Sequence, residues 1–204
     1  MKGGLLKNLI IIGPPRCGKT TLVQMIASKY PCEIIRTDPI EITICQALLH
    51  DRLHESLKAE SNVLVYPTLD ENFKIELYHR FYTEIKTELK NQKKLIIMDA
   101  YNLSFSLLEK AFGNEAQIYC LGVTNLTDYE FINYIRLNDT IDDWTNYIGN
   151  NSLQFFCNRI IDESKGAKDE LENFPNIKFF DTSGNRREKL KEIFEDIEQN
   201  VIQA

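Results

Sequence analysis

The sequence predicts an α/β fold in three layers, a five-stranded parallel sheet with helices on both faces. Three observations predict it. Short apolar runs, Leu9-Ile10-Ile11-Ile12 and the stretch Lys94–Asp99 (KLIIMD) among them, read as strands buried on both faces. Between such runs, apolar residues recur every three or four positions, which is helical spacing. Strands that alternate with helices pair in parallel through right-handed crossovers.

Each element follows in order. Met1 to Lys7 is a short lead-in, and strand one ends at a glycine loop. The helix after the loop carries Leu22, Val23, Ile26 and Ala27 on one side. Pro31 breaks the chain, and Glu33–Arg36 is strand two, ending in Thr37-Asp38-Pro39. From Ile40 to Asn91 the pattern is helical, with one helix over Ile42–Leu57 and another from about Glu71, joined by a short link at Val63–Pro67. The second helix repeats Phe73, Leu77, Phe81, Ile85 and Leu89 at four-residue spacing. Strand three is Lys94–Asp99, and a short helix covers Ser104–Phe112. Strand four is Ala116–Val123, and Thr127-Asp128-Tyr129-Glu130 spells a capping box opening a helix toward Leu137. A polar, turn-rich segment over Arg136–Asn150 precedes a helix through Leu153, Phe156, Ile160 and Leu171. Ile177–Phe180 is strand five, and the last helix presents Leu190, Ile193, Phe194, Ile197 and Val201.

The most informative stretch is Gly13-Pro14-Pro15-Arg16-Cys17-Gly18-Lys19-Thr20, which fits G-x-x-x-x-G-K-[ST] between a strand and a helix. Glycines let successive backbone N–H groups turn inward onto phosphate oxygens, and the following helix aims its positive end at the same anion. Lys19 is the mobile cation for the outer phosphates, and the Thr20 hydroxyl is a Mg²⁺ ligand. Thr21 extends the loop's binding set. Asp99, at the carboxyl end of a buried strand, has the Walker B pattern, which can hold Mg²⁺ directly or through water, and is the second residue expected at the metal. Ala100 follows it, where many NTP-hydrolysing motors place a glutamate to orient water. Asp38 ends strand two, where α/β sheets bind ligands; a turn-forming aspartate before Pro39 is the bland alternative.

Composition narrows the partners. A net charge of −6 with no Lys/Arg cluster argues against a nucleic-acid duplex and for a small substrate drawn in by a few local cations. The apolar runs are far short of a membrane span and the N-terminus lacks signal-peptide architecture, so a cytoplasmic protein is expected. Five scattered cysteines (17, 32, 45, 120, 157) without a CxxC fit a reducing compartment. Cys17 sits where the loop's positive field favours a thiolate, but it reads as a passive loop residue. His50 and His54 are four apart, yet no glutamate of an HExxH and no third ligand accompanies them, so they read as surface residues. Arg52 and Arg80 are candidate anion clamps.

On GPPRCGKT, the IIRTD stretch after strand two, LIIMD and FFDTSG after strand five, the chain resembles the P-loop kinases of the nucleoside monophosphate kinase-like and small-metabolite group. The resemblance covers nearly the whole chain. It implies one domain over 1–204 with strand order 2-3-1-4-5, an acceptor-binding insertion at about 39–92 and a lid at about 124–165. It also implies Mg-ATP as phosphoryl donor, Asp38 on an acceptor hydroxyl, and Arg136, with Arg159 next, closing over the phosphates. Thr182, Ser183 and Gly184 would border adenine. One departure stands out: the lid region lacks a close arginine pair and carries Asp139, Asp142, Asp143 and Trp144 instead, the last read as a packing anchor.

Two functions are therefore expected from the sequence. One is a phosphotransferase moving the γ-phosphoryl of Mg-ATP to a small hydroxyl or phosphate acceptor, as monomer or homodimer. The other is a nucleotide-dependent switch or binding module with no metabolite acceptor. Val123–Asp128 lacks the lysine of an Asn/Thr-Lys-x-Asp guanine reader, so adenine is preferred.

Overall fold

The computed structural model describes residues 8–48 and 69–202 apart from 91, 93, 102, 114 and 142, without the side chains of 45–48 and 144. Five parallel strands form one sheet: β1 (Asn8–Ile12), β2 (Cys32–Arg36), β3 (Leu95–Asp99), β4 (Ala116–Gly122) and β5 (Ile177–Asp181), in the order β2-β3-β1-β4-β5. The helices are α1 (Lys19–Lys29), α2 (Thr37–Leu48), α3 (Glu71–Glu88), α4 (Phe105–Phe112), α5 (Asp128–Asn138), α6 (Asn150–Glu170) and α7 (Arg186–Ile197). Predicted class and strand order are both found.

Side-chain alternation along β1 builds the two cores. Leu9 and Ile11 face one cluster with Leu22 and Ile26 of α1, Phe131 of α5, Leu153 of α6 and Leu190 and Ile193 of α7. Ile10 and Ile12 face the other, with Tyr78 and Tyr82 of α3 and Leu108 and Phe112 of α4. Such strands are apolar throughout because neither face meets water. Burying each of these side chains stabilises the fold by about 1.5–3 kcal/mol.

Helix ends follow local chemistry. Thr127 and Glu130 close the capping box reciprocally at the start of α5. Asp70 caps α3 by accepting from Phe73 N at 3.1 Å. The chain enters α2 at Thr37, directly from β2 and earlier than the sequence suggests, with Pro39 in the first turn. Proline is tolerated there because a first-turn N–H has no helical acceptor to lose. α7 stops at Ile197 and widens into a π turn over Glu198–Ile202 that buries Val201. Among the described residues no helix is long and apolar enough to cross a membrane. The expected helix over Ile42–Leu57 is described only to Leu48; Arg52, His50, His54, the 63–67 link, Asp142 and the Trp144 side chain lie outside the described residues.

Candidate nucleotide site

Strand register brings the glycine loop, Asp38 and Asp99 together. In β1 and β3 Ile11 is paired with Asp99, and in β2 and β3 Arg36 is paired with Asp99. The carboxyl ends of three adjacent strands thus open at one place, two residues before Gly13 on one side and two before Asp38 on the other.

The loop's conformation accounts for its glycines. Gly13 has φ 137°, and a Cβ on it would stand 2.0 Å from Leu121 O of β4. Gly18, the N-cap of α1, has φ 95°. Arg16 is the one non-glycine residue described with positive φ, at 64°. These left-handed steps turn the backbone N–H groups toward one centre, the geometry of an anion nest. Lys19 folds back over the loop, its Nζ donating to Gly13 O at 2.7 Å and Pro14 O at 2.9 Å.

Thr20 Oγ1 lies 3.0 Å from Asp99 Oδ2. Two hard oxygen donors side by side at the loop's end fit a Mg²⁺ ion that would draw its other ligands from phosphate and water. Among the described residues no cluster of three or more His, Cys, Asp or Glu could hold a metal by itself. Asp38 is exposed as a residue. Desolvation nevertheless raises its carboxyl above the ordinary range; Lys19 opposes that, the Asp99 and Glu41 charges reinforce it, and Lys74 opposes it more weakly. The Asp38 carboxyl thus feels the charges of both Lys19 and Asp99.

Behind Asp38 stands a polar cluster. Tyr78 donates to Glu41, and Lys74 Nζ pairs with Glu41 Oε2 at 2.8 Å. Arg80, a candidate anion clamp from the sequence, is exposed and paired with Glu76 at 2.5 Å on the same helix.

Around the segment after α5, the two arginines expected over the phosphates have local partners. Arg136 is tied locally, donating to Thr145 O at 2.9 Å and Asn150 Oδ1 at 3.4 Å, and does not line the cleft described below. The physical reason is that the turn at 144–150 offers it backbone and amide acceptors within one turn of α5. Arg159 is likewise engaged, with Glu163 and Tyr101. The arginine that meets this segment comes from the loop: Arg16 Nη1 donates to Asp143 Oδ1 at 2.7 Å, Arg16 Nη2 to Thr145 Oγ1 at 3.3 Å, and its guanidinium pairs with Asp139. Two of the acids that stood out in the sequence, Asp139 and Asp143, are thereby answered. Hydrogen bonds from Thr140 first, and then from Arg16, hold the Asp143 carboxyl below its usual range.

Thr182, Ser183 and Gly184 are not at the mouth of the cleft. Thr182 is buried beneath the loop, its hydroxyl donating to Cys17 O at 3.0 Å. Ser183 Oγ accepts from Asn125 N at 3.1 Å. Burial disfavours the charged Asp181, but hydrogen bonds from Ser183 and Thr124 outweigh it and hold that carboxyl low. This stretch braces the loop from below. Cys17 is fully buried, and desolvation pushes its thiol up to about 11 despite Lys19 and Arg186, so burial beats the loop's positive field.

Above the loop opens a cleft of about 830 Å³, walled by the loop and α1, by Tyr134, Ile135 and Asn138 of α5, and by Arg186, Arg187, Leu190 and Lys191 of α7. Its size suits a small organic ligand. The α7 side chains were not singled out from the sequence; an arginine pair after the last strand reads as a solvated helix start.

A family model described as "ATPase family associated with various cellular activities (AAA)" matches residues 9–128, more than half of the chain. The chain belongs to the AAA family. This makes the domain a nucleotide-binding one and agrees with the glycine loop, Thr20 and Asp99, all inside the matched range. None of the curated proteins compared with the chain matches it. Among solved structures it is similar to a gluconokinase from Sinorhizobium meliloti 1021, at 12% identity over 97% of this chain and 95% of that one with TM-score 0.54. It is similar also to shikimate kinase from Acinetobacter baumannii in complex with shikimate, at 9% identity over 98% and 94% with TM-score 0.51. A dephospho-CoA kinase from Campylobacter jejuni aligns over 94% and 97% at 13% identity with TM-score 0.49. The first two likenesses show the fold, that of the P-loop kinases.

Proposed function

We propose that the protein is an ATP-dependent phosphotransferase that moves the γ-phosphoryl of Mg-ATP to a hydroxyl of a small acceptor. The observation that carries this reading is the carboxyl of Asp38, coupled to both Lys19 and Asp99 at the joined ends of β2 and β3. A base must stand beside the phosphoryl donor to take the acceptor's proton, and a raised carboxyl pKa brings it nearer the operating pH.

In this reading Lys19 leaves the carbonyls of Gly13 and Pro14 for the charged β/γ-phosphates, exchanging two neutral acceptors for stronger ionic ones. Gly13 and Arg16 to Thr21 hold the phosphate chain through backbone N–H groups, while Pro14 and Pro15, which have none, shape the loop. Thr20 and Asp99 would hold Mg²⁺, which when bound neutralises phosphate charge. The acceptor oxygen attacks phosphorus as its proton passes to Asp38, the bond to the β-phosphate oxygen breaks, and ADP leaves. Residues about 39–92 form the acceptor wall and about 124–165 the lid. Lid closure excludes water.

A hydroxyl acceptor is favoured over a phosphate one because Arg80 is already paired with Glu76, whereas the Asp38 carboxyl feels the charge of the loop's Lys19. That the two fold relatives are a gluconokinase and a shikimate kinase supports the class of reaction. The acceptor is a small molecule taken without nucleic acid or membrane, by a cytoplasmic monomer or homodimer. The test is a screen of hydroxyl metabolites for ATP-dependent phosphorylation, reading ADP release over the no-acceptor rate. A single acceptor that raises release severalfold in wild type but not in Asp38→Asn supports the assignment.

A nucleotide-dependent switch is the second reading, and one observation favours it: Arg16 links the phosphate loop directly to Asp139 and Asp143. Loop occupancy would then reset the 139–147 segment as a partner surface. Tight ATP binding with no acceptor in the screen, and a protein partner retained only with ATP, would select it.

A further inference from the structure

The cleft above the loop is charged in one sense only. Arg16, Lys19, Arg186, Arg187 and Lys191 line it and no carboxylate does, in a chain whose net charge is −6. Three of these cations are already engaged. Arg16 has Asp139 and Asp143, Lys19 has two carbonyls, and Lys191 lies 3.7 Å from Glu195. Arg186 differs. Its guanidinium lies 3.8 Å over the ring of Tyr134, and no carboxylate among the described residues pairs with it. Its Nε is buried without a hydrogen-bond partner.

A guanidinium in that setting is electrostatically incomplete. The Tyr134 ring face attracts the cation, but by less than an ionised partner does. Desolvation accordingly lowers the pKa of Arg186, with no carboxylate among the leading opposing causes. The stem of the side chain passes close to the loop: a Cβ on Gly18 would stand 3.5 Å from Arg186 Cδ. Arg186, at the first turn of α7, thus lines the same cleft as Lys19.

From this arrangement we infer that Arg186, stacked on Tyr134, is a phosphate-binding residue of the nucleotide site, holding the ligand's phosphate chain from the α7 side. The inference rests on the nucleotide site proposed above and adds to it a cation outside the glycine-loop motif. Tyr134 keeps the guanidinium plane in one orientation, so its N–H groups meet an anion already aligned. Because Tyr134 belongs to α5, the same contact joins α5 and α7 across the bound anion.

The test is calorimetric titration of the full chain with ATP, with inorganic tripolyphosphate and with adenosine, for wild type, Arg186→Gln and Arg186→Lys. Arg186→Gln is expected to weaken ATP and tripolyphosphate by about tenfold to a hundredfold, the usual weight of a hydrogen bond to a charged group. Adenosine affinity should be unchanged. Arg186→Lys should recover part of the tripolyphosphate affinity, and it decides the matter if the glutamine variant fails to fold. Unchanged tripolyphosphate affinity in whichever variant folds overturns the assignment, as does an equal loss for adenosine, which would make Arg186 a base-packing residue. The two proposals fail separately. Arg186-dependent ATP binding with no acceptor phosphorylated removes the phosphotransferase reading only, whereas phosphotransfer with unaltered ATP affinity in Arg186→Gln removes this one only.

Discussion

Asp143 Oδ1 accepts from Arg16 Nη1 at 2.7 Å, so the phosphate loop and the segment after α5 share an ion pair across 127 residues of sequence. Asp139 completes it, with a side chain 3% exposed and bonded through Oδ2 to Thr145 at 2.7 Å. Removing one partner of a buried pair strands the other charge, which costs about 3 kcal/mol. Arg16→Ala should therefore lower the melting temperature, and adding Asp139→Asn should restore much of the loss. A double variant no more stable than the single one would show that the pair contributes nothing.

Lys19→Ala should reduce ATP turnover by about 100- to 1,000-fold, the weight of one donor lost from a developing charge. The fold should survive, since the ammonium holds only two loop carbonyls. Activity assay and circular dichroism melts on one preparation check both halves.

Asp38→Asn should slow transfer by about 10²- to 10⁴-fold. Its effect on stability has the opposite sign. A carboxyl whose pKa is raised by folding is penalised when ionised, so the native state gains relative stability as pH falls toward the folded pKa. At neutral pH the asparagine removes that penalty, and the variant should melt no lower than wild type. The acid limb of the wild-type pH–rate profile should lie above the ordinary carboxylate range. A limb inside that range would remove Asp38 as the base.

Gly13→Ala should be the most damaging single methyl in the loop. Its Cβ would stand 2.0 Å from Leu121 O at a φ of 137°, so either the loop or β4 must move. A loss of about 3 kcal/mol corresponds to a fall in Tm of about 6–12 °C for a chain this size. Thermal melts with and without ATP measure it.

Cys17 should resist iodoacetamide at pH 8 in the native protein and react after unfolding. Its thiol is buried and pushed up to about 11, so almost none is thiolate. Mass spectrometry of the alkylated peptide reads the outcome.

Much of this was legible in the sequence because it is local. The loop motif, the strand runs and the Thr127–Glu130 box each declare themselves within a few residues, and the buried parallel sheet follows from apolar runs. Asp99 beside Thr20 was legible too, since a strand-end acid after a glycine loop has few other places to go. The Arg16 pairing was not. Sequence shows charges without partners, and an acidic segment 123 residues or more away gave no register by which to match it. Arg186 escaped for the same reason, because which face of α7 meets the loop depends on how Leu190 and Ile193 settle into the core. The position of Arg136 before a polar turn fits two fates in the sequence, and in the structure nearby acceptors hold it.

The inward fold of Lys19 has one more consequence. An ammonium set among inward-turned N–H dipoles without an acceptor of its own would be repelled by them. By resting on the carbonyls of Gly13 and Pro14, the side chain acts as its own placeholder. Ligand capture then requires only a side-chain swing rather than refolding of the loop.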